Sequence, residues 1–444
     1  MTVLERLGAH AVGGYRQGFS DAAREALRLH LVDTVGAWIA GGRIAEGRAV
    51  LRFAPKWNPD EQGMLGRVAL GCALTRLSEI DDIHLSSATT PGALVVPAAL
   101  TVGATLGSEG TAIAEAIAAG YDLVTRLGSA LDGPAILYRG IWPSYFAAPF
   151  GAAAVAARLL GLGEGQAAHA LAIALAHASP SVGRQSGTSM SRWLAIGNAA
   201  RDGVAAALAA QAGFTGDLNL FEGDFFSGVY RLSPDIDALV GGAEKHPAVT
   251  RTSFKPWCAA RQTMAAAQAA REIVEEGVSP AEMSELVVGV PPAYLKMIDH
   301  GIAPGDRTSC LTSVSYQVAL AALDPDATLD TAQVRETLPE AIGGFMAKIS
   351  VRADEELLRH YPRSWPARLA VATSSGKREK LVLHIPGDPE RPLDELQVAA
   401  KFWRLTTRVL GERAAENLLR RCLAALDEGP GALLEAIDGV RSVV

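Results

Sequence analysis

The chain is short of the residues that build metal and disulfide frameworks. Its 444 residues include four cysteines, Cys72, Cys258, Cys310 and Cys422, scattered and without a CxxC pair, so neither a structural zinc nor a disulfide scaffold is indicated. No run of Lys and Arg lies beside aromatic residues, and the net charge of −7 offers no electrostatic footprint for nucleic acid. The N-terminus has acids among its early residues and no unbroken apolar core of the signal-peptide kind. Together with the unpaired cysteines this reads as a protein of the reducing cytoplasm. The most apolar stretch, PFGAAAVAARLLGLGEGQAAHALAIALAHA, is interrupted by Arg158, Glu164, Gln166 and His169 and divided by glycine turns. It therefore reads as buried helices, with no membrane partner. GxGxxG, P-loop, GxSxG and HExxH patterns are all missing, which leaves nucleotide binding, serine hydrolysis and zinc peptidase chemistry without support.

What is there is a globular composition, 49% hydrophobic and 20% charged, which excludes a disordered chain. The length predicts two domains, one of them discontinuous. In SDAAREALRLHLVDTVGAWI, Ala23, Leu27, Leu31, Val35 and Trp38 form one helical stripe behind Ser20 as N-cap and ahead of Gly41-Gly42 as terminator. Similar Ala/Leu-rich segments follow to about residue 240. From there MSELVVGVPPAYL, AKISVRADEEL, ARLAVATSS and KLVLHIPG carry β-branched residues at strand length. The tail reverts to amphipathic helix. The expected fold is mainly α: a large all-helical domain over 1–240 and 390–444, with a smaller α+β domain over 241–389.

Four stretches carry candidate chemistry. DDIHLSSATTPG, residues 81–92, gathers Asp81, Asp82 and His84 before a Pro-Gly turn. As a metal site it lacks the i, i+4 pairing of a zinc helix. Two readings remain: a solvated loop, with the acids capping a helix and His84 facing water, or an active-site loop held by the scaffold. In YRGIWPSYFAAPFGAAA, Tyr145 stands just before an Ala/Gly helix after the Trp142-Pro143 bend, suited to general acid or base work or, equally, to core packing. GRQSGTSMSRWLAIGNAARDG offers Arg184 and Arg192 for bidentate binding of carboxylates, with surface salt bridges as the competing account. TRTSFKPWCAARQT places Lys255, expected to be half-buried and able to shuttle a proton, before Pro256-Trp257. Arg261 follows at the start of an alanine helix whose dipole favours an anion.

The runs LSEIDDIHLSSATTPGALVVPAAL, RGIWPSYFAAPFGAAAVAARLLGLGEGQAAHALAIALAHAS, GNAARDGVAAALAAQAGFTG with FEGDFF, FKPWCAARQT and GDPERPLDELQVAAKFWRL resemble the MmgE/PrpD family in order and spacing, over nearly the whole chain. The resemblance implies a homodimer of helical and α+β domains, without a cofactor or metal, acting on a small polycarboxylate at a carbon next to a carboxylate. The family's chemistries are 2-methylcitrate dehydration, cis-aconitate decarboxylation and iminodisuccinate epimerisation. The chain departs from the family where Glu79 replaces the first acid of the acidic run, Ile83 a threonine, Thr90 and Trp142 the histidines before Pro91 and Pro143, and Arg192-Trp193-Leu194-Ala195 a Lys-Arg-Leu-His segment. His84 and Lys255 are kept. Losing histidine acids weakens a dehydratase or decarboxylase, whereas an epimerase needs one base on each face of a stereocentre and cations for the developing charge. The substitutions thus imply an epimerase of the iminodisuccinate kind. Tyr145 and Lys255, one on each face of the carbon, and His84 from the loop would be catalytic, and Arg192, Arg261, Asp81 and Arg184 would bind substrate, Arg192 and Arg261 as carboxylate clamps. A lyase and a non-catalytic carboxylate binder are the alternatives.

Overall fold

The computed structural model describes residues 1–57, 63–179, 189–241, 246–332 and 334–441. Among them, contacts divide the chain into one unit of residues 1–179, 190–254 and 393–441 and another of residues 189 and 255–392. The divisions fall at Phe254/Lys255 and Pro392/Leu393, against the expected 240/241 and 389/390. Residues 246–254 group with the helices, where Asp122, in a helix of the first unit, accepts the Ala248 amide at 2.8 Å.

The first unit contains α1 (Val3–Gly13), α2 (Asp21–Arg43), α3 (Ala45–Trp57), α4 (Met64–Leu77), α5 (Pro91–Leu106), α6 (Gly110–Ala130), α7 (Gly133–Leu137), α8 (Pro143–Leu159), α9 (Glu164–Ala176), α10 (Ser191–Gln211) and α11 (Ile236–Val240). Its core centres on α8, where residues 143–157 are all buried, with α5, α6, α9 and α10 packed around it. The small side chains set this spacing. A Cβ added to Gly151 would lie 2.2 Å from Val124 Cγ2, and one on Gly203 2.2 Å from the Pro149 carbonyl. Phe146 and Phe150 fill the remaining volume, each adding about 1.5–3 kcal/mol by burial.

Ser20 does cap α2, its hydroxyl accepting the Ala23 amide at 3.3 Å. The helix nevertheless runs through Gly41-Gly42 to Arg43, where the glycine pair was expected to end it. The reason is packing: a Cβ on Gly41 would lie 2.0 Å from the Leu74 carbonyl. Gly41 serves the close approach of α2 and α4.

The second unit holds α12 (Arg261–Glu275), β1 (Met283–Val290), α13 (Leu295–Ile298), α14 (Arg307–Thr312), α15 (Val314–Leu323), α16 (Glu340–Met346), β2 (Ile349–Ala353), β3 (Ala367–Thr373) and β4 (Gly376–Val382). The sheet order is β2-β1-β3-β4, with β1 parallel to β2 and antiparallel to β3, and β3 antiparallel to β4. Burial alternates along β3, with Ala367, Leu369 and Val371 inward, while α12 packs on β3 and β4 and α15 on α12 and β2. The last strand starts at Gly376, ahead of the expected KLVLHIPG, because Lys377 to Glu379 are exposed and hide the strand from a hydrophobicity pattern. The tail helices α17 (Glu395–Leu410), α18 (Glu412–Glu428) and α19 (Gly431–Arg441) pack in the first unit, α17 on α2. A large helical domain with a smaller α+β domain is thus the observed fold. Among the described residues no helix is long and apolar enough to cross a membrane.

Candidate active site in the helical unit

The stretch from α4 to α5 is buried, which overturns the solvated-loop reading. Asp81 and Asp82 are fully enclosed and His84 is 7% exposed. Asp82 accepts the Gly92 amide in the first turn of α5 at 2.8 Å, His30 Nδ1–H at 2.8 Å and the Tyr121 hydroxyl at 2.6 Å. Three donors and a helix N-terminus together compensate a buried carboxylate. Thr90, the N-cap of α5, makes no side-chain cap, so Asp82 fills that place from ten residues upstream. Gly92 is required there, since a Cβ would lie 2.8 Å from Asp82 Oδ1 and 2.7 Å from Thr34 Oγ1. The His30 ring is itself clamped, stacked on Phe254 at 4.1 Å and edge-on to Tyr121 at 5.9 Å.

Beyond Asp82 the loop is bridged to Ser253 by two backbone hydrogen bonds, from the Ile83 amide at 2.9 Å and back to the Ile83 carbonyl at 2.8 Å. It closes on itself where the His84 amide donates to the Thr89 carbonyl at 2.8 Å. Glu79 and Ala88 take left-handed backbone angles, φ 60° and 53°, strain of order 1 kcal/mol each that a binding or catalytic loop commonly holds. His84 Nδ1 lies 2.9 Å from Ser87 Oγ, which is 2.6 Å from Thr89 Oγ1 and 3.3 Å from the His84 carbonyl. With the Ser87 proton turned to Thr89 or to that carbonyl, Nδ1 donates and Nε2 keeps its lone pair. Burial, with Arg251 adding and Asp82 and Asp122 opposing, pulls the imidazole down to about 4. His84 is therefore neutral near pH 7.

The neighbouring cluster centres on Tyr145. It lies within the first turn of α8, after Trp142 as N-cap and Pro143, rather than before the helix. The Ser144 hydroxyl accepts the Thr90 amide at 3.0 Å and meets Thr90 Oγ1 at 3.1 Å, tying α8 to the loop. Arg76, at the end of α4, is buried and pairs with Glu79 at 3.0 Å and Asp81 at 3.2 Å. Arg192, in the first turn of α10, stands 3.7 Å from Glu79, its guanidinium 3.9 Å from the centre of the Trp193 ring. Burial pushes the Tyr145 phenol up to about 12; Arg76 and Arg192 pull it down, and Glu79 and Asp81 push it further up. Tyr145 thus holds its proton at neutral pH. Burial pulls Arg76 down, but Asp81 and Glu79 more than restore it, so it stays a cation.

Of the residues singled out in the sequence, Asp81, His84, Tyr145 and Arg192 belong to this unit. Arg184 lies outside the described residues. Lys255 opens the second unit and is buried rather than half-buried. Arg261, expected to clamp a carboxylate of the substrate, clamps one of the protein's own: Nη2 reaches both oxygens of Asp388, at 3.0 and 2.7 Å, and Nη1 donates to the Trp365 carbonyl at 3.4 Å. Sequence reasoning passed over Arg76, His30, Asp33, Tyr121, Ser144 and Lys401. A polar residue inside an apolar helix, such as Arg76 in GCALTRL or His30 and Asp33 in LRLHLVDTVG, is the signal that marks them. Among the described residues no group of three or more His, Cys, Asp or Glu side chains comes together to hold a metal ion.

Comparison with known families gives two matches. The MmgE/PrpD N-terminal domain model matches residues 5–235, and the MmgE/PrpD C-terminal domain model matches residues 257–425. The second match includes α17 and most of α18, which fold with the helical unit. No curated protein matches the chain.

Proposed function

Because the chain belongs to the MmgE/PrpD family, we propose that it moves a proton at the carbon next to a carboxylate of a small amino polycarboxylate, inverting that carbon, as an iminodisuccinate-type epimerase. The observation that carries this reading is the buried mixed-charge cluster in which Tyr145 is set among Arg76, Arg192, Glu79 and Asp81. Two guanidinium groups suit two carboxylates. The two acids beside them suit a substrate nitrogen that carries positive charge and would repel a purely anionic citrate-type acid. A substrate with both signs of charge matches such a cluster best.

In this reading His84 Nε2 takes the hydrogen from the carbon bearing nitrogen and carboxylate, and the electron pair is delocalised into that carboxylate beside the arginines. Tyr145 returns a proton to the carbon from the other face, leaving imidazolium and phenolate; the reverse reaction starts from that pair, and exchange of protons with solvent restores the resting pair. A polyanionic substrate arriving near His84 raises its basicity above that of the free protein. His84 here takes the place expected of Lys255, which belongs to the second unit, and the scheme is built on groups of the first.

A second reading, a dehydratase-type lyase, is favoured by the same proton on Tyr145, since a leaving hydroxyl needs an acid that is protonated at neutral pH. The two readings separate in one assay. Each purified stereoisomer of iminodisuccinate is incubated with the protein and followed by chiral chromatography, beside citrate-type acids followed in the ultraviolet. Interconversion of the stereoisomers without a new alkene is the expected result. Alkene growth from the citrate-type acids would replace the epimerase by the lyase, and binding without turnover would reduce the chain to a carboxylate binder.

A further inference from the structure

The tail helix α17 docks by an apolar stripe of Val398, Phe402 and Leu405, yet the buried residues of that face include a lysine, Lys401. A methionine would bury there at far lower cost. Lys401 Nζ lies 2.5 Å from Asp33 Oδ1 and donates to the Ile80 carbonyl at 2.9 Å. Both contacts lead to the loop already described. Ile80 sits between Glu79, with its left-handed backbone, and Asp81. Asp33 lies one helical turn after His30 on α2, and His30 holds Asp82. Burial pushes the Asp33 carboxyl up, and Lys401 is the strongest influence opposing it, ahead of His30.

We propose that Lys401 is a positioning residue for the His84 loop: it fixes the Ile80 carbonyl and neutralises Asp33, so that His30 is left to orient Asp82 and, through it, the backbone that carries His84. The inference rests on the reading of His84 as the base. A residue about 320 positions downstream thereby sets the geometry of the acidic run. Without the ammonium, Asp33 must take up a proton or draw on His30, and either changes the donor that Asp82 receives.

The test reads the imidazoles directly. The chain has nine histidines, so nitrogen-15 labelling gives a tractable spectrum, with His84 assigned by the signal lost in His84→Gln. In the wild type at neutral pH, His84 is expected as one protonated and one unprotonated nitrogen. Lys401→Met should fold, replace that pattern by an averaged pair of signals and lower kcat about 100-fold with KM little changed. Lys401→Arg should restore both. A folded Lys401→Met with unchanged His84 signals, poorer only in thermal stability, would overturn the proposal. If Lys401→Met does not fold, Lys401→Gln, which can still donate to the Ile80 carbonyl but brings no charge to Asp33, takes its place, and unchanged His84 signals in that protein would overturn it equally. The spectrum needs no substrate. A wild type that epimerises nothing refutes the proposed reaction without touching this result, and an unmoved His84 signal refutes Lys401 without touching the reaction.

Discussion

Both units bury arginine against carboxylate, and the contrast between the two pairs separates scaffold from site. In the second unit, Asp388 receives Arg261 on both oxygens and also the Ile385 amide at 2.9 Å. Both carboxylate oxygens are engaged, and the evident work of the pair is to hold the turn that carries Asp388. In the helical unit, Arg76 and Arg192 share Glu79 at 3.0 and 3.7 Å, and Arg76 also meets Asp81 at 3.2 Å, around a tyrosine that keeps its proton. Buried charge by itself therefore says little about function. A charge matched by a ready-made partner stabilises a fold, and one shared among several carboxylates beside a titratable group marks a candidate site.

The comparison breaks or sharpens under substitution. The largest effect is expected from Tyr145→Phe, which should cost 10²- to 10⁴-fold in turnover while the melting temperature moves little, the ring being kept. Steady-state rates beside calorimetry check it. Asp388→Asn should do the reverse, losing about 3–5 kcal/mol in urea unfolding because Arg261 stays buried without its carboxylate.

His84→Gln tests the neutral imidazole. A folded pKa near 4 against an unfolded value near 6.5 means that the unfolded chain binds the extra proton, so this stability is fully present above about pH 6.5 and is lost as pH falls towards 4. The wild type should lose about 3 kcal/mol more than the variant across that window, from about 1.4 kcal/mol per pKa unit. Asp122 does not confuse the measurement. Burial pushes its carboxyl up, but hydrogen bonds from His10, Tyr15 and the Ala248 amide outweigh that and lower it, so its share is lost only as pH falls through the folded value, below the usual carboxylate range. The smallest effect belongs to the exposed Arg271–Glu275 pair at 2.9 Å on α12, where Arg271→Ala should change stability by no more than about 0.5 kcal/mol.

The sequence made the fold legible where periodicity is local. Helical stripes and four strand-sized runs are read within a few residues of one another, and the resulting elements appear where the pattern puts them, apart from the end of α2 beyond Gly41-Gly42 and the charged start of β4. His84, Tyr145 and Arg192 were legible for a different reason: polar side chains among apolar neighbours need an explanation. Their partners were not legible. His30, Tyr121 and Lys401 stand 52, 39 and 321 positions from the loop residues that they hold, and only packing brings them there. The partner of Arg261 was hidden for the same cause, Asp388 lying 127 positions away. Nothing in a local window distinguishes an arginine waiting for a substrate from one already matched.

The most direct test of the central claim, proton transfer through the Tyr145 cluster, is proton NMR of iminodisuccinate in deuterated buffer with the wild type and with Tyr145→Phe. The account predicts that the wild type exchanges the hydrogen on the inverted carbon for solvent deuterium as the stereoisomers interconvert, and that Tyr145→Phe loses the interconversion. Inversion with the original hydrogen retained, or full activity in Tyr145→Phe, would contradict it.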